Sequence, residues 1–151
     1  MTPGFTGGTL DRGDPVRNDP EALARAMANP RGRLLRLTRL DPEVADGHLI
    51  WDGMGAAHPG GEIILLGLDE AGVPHFAAVN PDEKPVTGRN LAIFRMLEQV
   101  PGEEMALYGA ARSVVDWHMR HRFCAVCGTG TEAFRAGWGR KCQSTTLRAA
   151  P

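Results

Sequence analysis

Three cysteines constrain this chain more than any other feature, because their spacing matches part of a metal site. Cys124 and Cys127 form a C-x2-C pair, and Cys142 stands where a second pair would begin. In a zinc ribbon two such pairs give four thiolates, which surround the ion tetrahedrally. Thr145 stands in place of the fourth cysteine. The pattern therefore predicts an incomplete zinc site with Cys124, Cys127 and Cys142 as metal ligands.

The C-x2-C pair has a second interpretation, a thioredoxin-type redox pair. That chemistry places the pair at the start of a helix in a βαβ unit, whereas here a predicted helix ends just before Cys124. Gly128, directly after the pair, is typical of a zinc knuckle. An odd number of cysteines also argues against a secreted disulfide framework. We therefore favour a zinc site over a redox pair.

Three thiolates leave one ligand position, which water, a histidine or another chain could fill. Losing one thiolate weakens zinc binding, so the expected zinc is structural and either weakly held or lost. His118 and His121, just before the cysteines, are candidate substitute ligands. In the alternative that we favour, His118 packs on an apolar helix face and His121 caps the helix C-terminus.

The length and composition predict one ordinary globular domain with a small appended module. The chain has 151 residues, of which 42% are hydrophobic, and a formal charge of -1, which allows a core of normal size. The longest apolar run, residues 63–66, is too short to cross a bilayer, and residues 1–15 lack a signal-peptide pattern. We expect a cytoplasmic protein without membrane contact.

The sequence before the cysteines predicts an α+β fold, with a mainly antiparallel sheet and flanking helices. Asp19 caps a short helix that begins at Pro20 and stops before Pro30. Later helices are predicted from the apolar spacing around residues 91–97 and from Pro101 onward. The strands are predicted from short apolar segments separated by Gly, Pro and Asp. These segments are residues 33–40, 48–51, 62–68 and 75–79, with a hairpin turn at residues 69–72.

No catalytic or cofactor-binding residues are predicted. The glycines at residues 53–55 and 60–61 are followed by no Lys-Ser/Thr and no helix start, so they match neither a phosphate loop nor a dinucleotide fingerprint. The remaining histidines have no matching acid or nucleophile in the sequence. They are His48, His58 and His75.

The C-terminal part is basic, which raises an alternative function. From residue 112 onward, seven Lys or Arg stand against two acidic residues. Aromatic and basic residues alternate there, a composition that can stack bases and contact phosphates. Aromatics in a ribbon more often form its miniature core, so a non-catalytic module for nucleic-acid or protein binding is the second hypothesis. The residues are Trp117, Arg120, Arg122, Phe123, Phe134, Arg135, Trp138 and Arg140.

Residues 117–128 and 137–142 closely resemble the interdomain junction in NADH pyrophosphatases of the Nudix superfamily. Residues 10–12 and the strand pair at residues 65–79 resemble the N-terminal Nudix-like domain of that family. The resemblance spans residues 10–142. It implies two parts, a Nudix-like domain over residues 1–120 and an incomplete zinc ribbon with a divergent tail over residues 121–151.

In that family these parts precede a catalytic Nudix domain that hydrolyses NADH and NAD⁺. Its Mg²⁺ or Mn²⁺ is held by glutamates of a G-x5-E-x7-R-E-x2-E-E-x-G segment, and these 151 residues contain no such segment. The resemblance therefore implies a portion that is inactive alone, with a dinucleotide substrate and Mg²⁺ or Mn²⁺ only in an intact parent enzyme. It also implies a homodimer, since the ribbon region supports dimer formation in the family.

The sequence departs from the family pattern at about Ser144. We expect a truncation, a frameshift or deliberate shortening at this point. Reading the encoding DNA in the other two frames tests the frameshift, which predicts a further Cys codon followed by a Nudix helix.

Overall fold

The computed structural model describes residues 7–88 and 90–144 and confirms the α+β fold. The described part contains four helices and a short 3₁₀ turn at Met54–Ala56. The helices are α1 (Asp14–Asn18), α2 (Pro20–Met27), α3 (Ala92–Leu97) and α4 (Gly102–Arg120). The strands are β1 (Arg33–Leu35), β2 (Leu37–Thr38), β3 (Asp41–Pro42), β4 (Val44–Ala45), β5 (His48–Leu49), β6 (Trp51–Gly53), β7 (Glu62–Leu68), β8 (Pro74–Val79), β9 (Thr131–Phe134) and β10 (Gly139–Cys142).

The main sheet has four strands in the order β6-β1-β8-β7. β7 and β8 form the predicted antiparallel hairpin, and the Asp69 carboxylate accepts hydrogen bonds from the N–H groups of Ala71 and Val73 in its turn. β1 pairs antiparallel with β6 but parallel with β8. The sheet is therefore mainly antiparallel, as predicted, with one parallel pair at its centre.

The predicted strands at residues 33–40 and 48–51 are each divided in two, and not all of their parts join the main sheet. Arg39 and Leu40 adopt left-handed backbone angles, with φ values of 50° and 74°. This turn folds β2 back onto β3 as a separate two-stranded ladder. A second left-handed turn at Asp46 and Gly47 does the same for β4 and β5. Alternation of side chains does not reveal such turns, because neither Arg39 nor Leu40 favours them.

Helix α4 covers one face of the main sheet. Tyr108, Ala111, Val115 and Met119 are buried in one cluster with sheet residues such as Ile64, as the predicted apolar stripe requires. The Tyr108 hydroxyl donates to the buried Leu40 carbonyl at 2.9 Å. Burial raises the pKa of Tyr108 to about 12, so the phenol remains a neutral donor. This bond holds the left-handed turn at Leu40 against the core.

The opposite face of the sheet is covered by α2 and by part of the cysteine module. Leu65 and Phe76 are fully buried there, together with Leu34 and Ala136. Leu23 of α2 packs against them, and Asp19 caps the helix by accepting from the N–H groups of Glu21 and Ala22. The predicted N-cap is therefore confirmed.

The segment before α1 joins the edge of the sheet, a contact that no sequence pattern predicts. Asp11 forms two backbone hydrogen bonds with Leu68, at 2.8 and 2.9 Å. Gly67 permits this contact, because a Cβ at that position would lie 2.4 Å from the Asp11 carbonyl oxygen. Among the described residues, none of the helices is long and apolar enough to span a membrane.

Replacing Tyr108 with Phe should lower the free energy of unfolding by about 1–3 kcal/mol, because the buried Leu40 carbonyl loses its donor. Urea denaturation followed by circular dichroism measures this change. Ser113→Ala is the matched control, since the Ser113 hydroxyl bonds the Gly109 carbonyl at an exposed site on the same helix. Equal stability of Tyr108→Phe and Ser113→Ala would contradict the proposed role of the phenol.

Candidate metal centre

The cysteine module is a small β-hairpin preceded by a turn. β9 and β10 pair antiparallel, with Cys142 opposite Thr131. Cys124 and Cys127 lie in the turn between the end of α4 and β9, and Phe123 pairs with Gly130. This order, a C-x2-C turn followed by a hairpin whose second strand carries a cysteine, is the arrangement that the sequence predicts for a ribbon.

Backbone hydrogen bonds shape the C-x2-C turn. The Gly128 N–H donates to the Cys124 carbonyl at 2.9 Å, and the Cys124 N–H donates to the Thr129 carbonyl at 2.7 Å. Gly128 has a φ of 70°, a conformation that glycine adopts without strain. The tight turn directs the Cys124 and Cys127 side chains toward β10.

The three sulfurs form a compact cluster. The Sγ atoms of Cys124, Cys127 and Cys142 all lie within 4.8 Å of one another, and those of Cys127 and Cys142 are 3.5 Å apart. Zinc–sulfur bonds of ~2.3 Å in a tetrahedron place sulfurs ~3.8 Å apart. The donor set and its spacing therefore fit a zinc ion, to which these residues would give three thiolates.

Hydrogen bonds give the thiols different acidities. Bonds from Thr129 lower the pKa of Cys127 to about 7. The Ser144 N–H, 3.3 Å from the Cys142 sulfur, favours that thiolate, but partial burial and the neighbouring thiols raise the pKa of Cys142 overall. The thiolate is the metal-binding form. Cys127, which is exposed, is therefore ready to ionise near neutral pH.

The two histidines before the cysteines have structural partners. His118 is fully buried, and its Nε2 lies 2.6 Å from the Gly137 carbonyl, to which it must donate. Its Nδ1 is then the acceptor for Arg140, and burial lowers the pKa of His118, which keeps the ring neutral. His121 is the C-cap of α4, with Nδ1 2.8 Å from the Trp117 carbonyl. The cluster of potential metal ligands found within residues 7–88 and 90–144 contains only the three cysteines.

A buried ionic network joins the module to the sheet, and no sequence pattern predicts it. Arg140 of β10 is 6% exposed and bonds the carboxylate of Glu62 at the start of β7. It also bonds both the hydroxyl and the carbonyl oxygens of Thr131. Glu62 additionally accepts from the Ala133 N–H at 3.1 Å. The one signal in the sequence is the acidic residue at the start of an otherwise apolar strand.

Close packing adds a second connection between the module and the sheet. The Trp138 indole donates to the Leu65 carbonyl at 2.6 Å, and the Arg17 guanidinium lies over the same ring, 4.2 Å from its centre. Gly137 has a φ of 87°, and a Cβ there would lie 2.7 Å from Ile64. The hairpin thus touches β7 so closely that this position requires glycine.

The remaining histidines and the loop glycines make structural contacts. His48 pairs with Glu104 at 2.6 Å, and this hydrogen bond raises the pKa of His48. His75 packs edge-on against Trp51, and His58 lies 3.4 Å from Asp82. The glycines at residues 53–55 border the 3₁₀ turn. Within the described ranges, these histidines form no metal-ligating group of three or more acidic, His or Cys residues.

The fold and the site define the class, an α+β domain joined to a zinc-ribbon module. Residues 120–148 match the family model of the NADH pyrophosphatase zinc ribbon domain. The chain therefore resembles the NADH pyrophosphatases of the Nudix superfamily, as its sequence predicts, in an N-terminal domain followed by a ribbon that has three of the four expected cysteines.

Individual relatives agree with this resemblance. The chain is 31% identical over 144 residues to NudC, an NAD-capped RNA hydrolase of Mycobacterium tuberculosis and Mycobacterium bovis, with 86% of this chain covered. It is also 41% identical over 46 residues to the NAD-capped RNA hydrolase NUDT12 of Macaca fascicularis. The aligned part covers 30% of this chain and 10% of that relative. The chain spans 43% of the length of the NudC relatives.

Replacing Glu62 with Gln should lower the free energy of unfolding by about 2 kcal/mol at pH 7, because the buried Arg140 loses its counter-ion. Thermal or urea unfolding measures the loss. The control is Glu21→Gln, which removes a highly exposed helix ion pair and should cost less than about 0.5 kcal/mol.

The stability difference between wild type and Glu62→Gln should depend on pH. Burial raises the pKa of Glu62, but the hydrogen bond and charge of Arg140 outweigh it and lower the pKa overall. A lowered folded-state pKa means that the carboxylate stabilises the fold above about pH 4.3 and loses this effect as pH falls through the folded value. The stability gap between wild type and Glu62→Gln should therefore close in acid. A constant gap from pH 7 down to pH 3 would refute this account.

Proposed function

We propose that this chain is the N-terminal and zinc-ribbon portion of an NADH/NAD⁺ pyrophosphatase of the Nudix type. The observation that carries the proposal is the three-cysteine cluster at the position where the ribbon family model matches. The 31% identity to NudC supports it along most of the chain. Because the relatives are named as hydrolases of NAD-capped RNA, the substrate class of an intact parent would be dinucleotide pyrophosphates, free or at an RNA end.

The proposed role of the three cysteines is to hold a structural zinc ion. Cys124 and Cys127 belong to the turn after α4, whereas Cys142 belongs to β10. An ion bound to all three would tie the turn to the hairpin and so fix the end of the long helix relative to the ribbon. The protein's contribution is to place the sulfurs and to stabilise their charge with backbone N–H groups.

Purified protein should contain about one zinc per chain, measured by atomic emission or mass spectrometry. Replacing both Cys124 and Cys127 with Ser should reduce the zinc content at least tenfold, because only one thiolate remains. Val126→Ala is the matched control, since this 81% exposed side chain lies between the two cysteines but offers no ligand. Absence of zinc from wild-type protein prepared with zinc in the medium would refute the proposed role.

We also propose that these 151 residues do not hydrolyse dinucleotides. Pyrophosphate cleavage in this family needs Mg²⁺ or Mn²⁺ on clustered carboxylates, and the sequence has no Nudix box to supply them. In an intact parent the glutamates of that box would hold the metal and neutralise phosphate charge.

An assay with NADH and Mg²⁺ or Mn²⁺ should therefore show no turnover above the buffer rate, measured by chromatographic detection of the two mononucleotides. An active Nudix pyrophosphatase serves as the positive control, and the Cys124→Ser, Cys127→Ser double variant as the negative one. NADH cleavage that follows the wild-type protein through two orthogonal purification steps would contradict this expectation.

The alternative, a nucleic-acid-binding module, needs basic side chains that are available to phosphates. Arg122 donates to the carbonyls of Asn80, Pro81 and Glu83, and Arg120 pairs with Asp116. Since protein groups already engage these guanidinium groups, the pyrophosphatase proposal has priority. RNA binding that weakens steeply with salt would favour the alternative.

The resemblance also carries proposals about assembly and location. We propose that the chain forms a homodimer, as the ribbon region does in the family, and that it acts in the cytoplasm.

A further inference from the structure

We propose that the zinc site has an exchangeable fourth ligand position, and that this position takes a small monothiol from solution. This inference rests on the zinc binding proposed above for Cys124, Cys127 and Cys142. It adds a ligand class that a closed four-cysteine ribbon would not accept. Zinc sites with three protein ligands and an exchangeable water are the general precedent.

The described residues offer three donors to one ion. Within residues 7–88 and 90–144, the group of His, Cys, Asp and Glu side chains close enough to share one ion consists of three cysteines. Residues 145–151 contain none of these four residue types. Thr145 stands where a second C-x2-C pair would place its last sulfur.

The histidines nearest in sequence are already engaged. His118 is fully buried, with one ring nitrogen against the Gly137 carbonyl and the other against Arg140. The Nδ1 of His121 bonds the Trp117 carbonyl at the end of α4, and Trp117 and His121 lie with their ring centres 5.5 Å apart. Recruiting either ring to the metal would break contacts that hold the helix and the hairpin.

The cluster is open to small molecules. Cys127 is exposed, and Cys124 and Cys142 are only half-buried. Val126, between the first two cysteines, is 81% exposed, so this part of the turn faces solvent. A monothiol can therefore approach from solvent without rearrangement of the core.

The chemistry favours a sulfur ligand. Zinc binds thiolate well, and the cluster already gathers three sulfurs, one of which accepts a hydrogen bond from the Ser144 N–H at 3.3 Å. At a zinc ion held by the three cysteines, a thiol would bind as thiolate, would release its proton to solvent and would take the place of a water molecule. The result would be the four-sulfur coordination of a complete ribbon.

Cobalt(II) replaces zinc in such sites and makes the number of bound thiolates visible. We would load the full 151-residue protein with cobalt under anaerobic conditions and add 2-mercaptoethanol. The sulfur-to-cobalt absorption in the near ultraviolet should rise by about one third, as three thiolates become four, and should saturate. An unchanged spectrum, or loss of cobalt from the protein, would overturn the inference.

Thr145→Cys is the matched variant, because it restores the fourth cysteine of the pattern. It should show the four-thiolate spectrum before any thiol is added, should not respond to 2-mercaptoethanol, and should bind zinc at least about 100-fold more tightly. A response equal to that of wild type would also overturn the inference. Failure of the wild-type protein to bind cobalt at all would instead refute the proposed zinc site itself.

Discussion

The buried guanidinium of Arg140 is the interaction on which the arrangement of the two parts depends. A charge that is 6% exposed is stable only when it is paired and fully hydrogen-bonded. Glu62 from the sheet, His118 from α4 and Thr131 from the neighbouring strand meet this requirement together. Because Glu62 and His118 lie outside the hairpin, on β7 and α4, their contacts with Arg140 fix the orientation of the hairpin on the domain.

The same network positions the cysteines. Arg140 and Cys142 are two residues apart on β10, so they lie on the same face of the strand. The Thr131 hydroxyl accepts from Arg140 and donates to the His121 carbonyl at the end of α4. The turn that carries Cys124 begins three residues after His121. Thr131 therefore contacts both β10 and the end of α4, where the cysteine turn begins. These contacts bring the sulfur of Cys142 near the sulfurs of Cys124 and Cys127.

Local signals in the sequence predict α2, α3 and α4 and the proximity of the three cysteines, but not the short helix α1. Asp19 as an N-cap and the apolar spacing of α4 act within a few residues, and the C-x2-C turn requires only its own backbone. The divided strands and the ionic network were not predictable in this way. The left-handed turn at Leu40 is held by Tyr108, 68 residues away, and Glu62 meets Arg140 across 78 residues. Such contacts depend on the assembled fold rather than on any local pattern.

The hairpin is docked on the sheet, and this docking explains how the module can fold with three cysteines where a zinc ribbon has four. A free zinc ribbon has a small core and relies on its metal to fold. Here Trp138 bonds the Leu65 carbonyl, Gly137 lies against Ile64, and Ala136 is buried beneath the sheet. These contacts stabilise the hairpin independently of the ion. In the proposed site, a metal would mainly hold the exposed C-x2-C turn against β10, with two ligands on the turn and one on the strand.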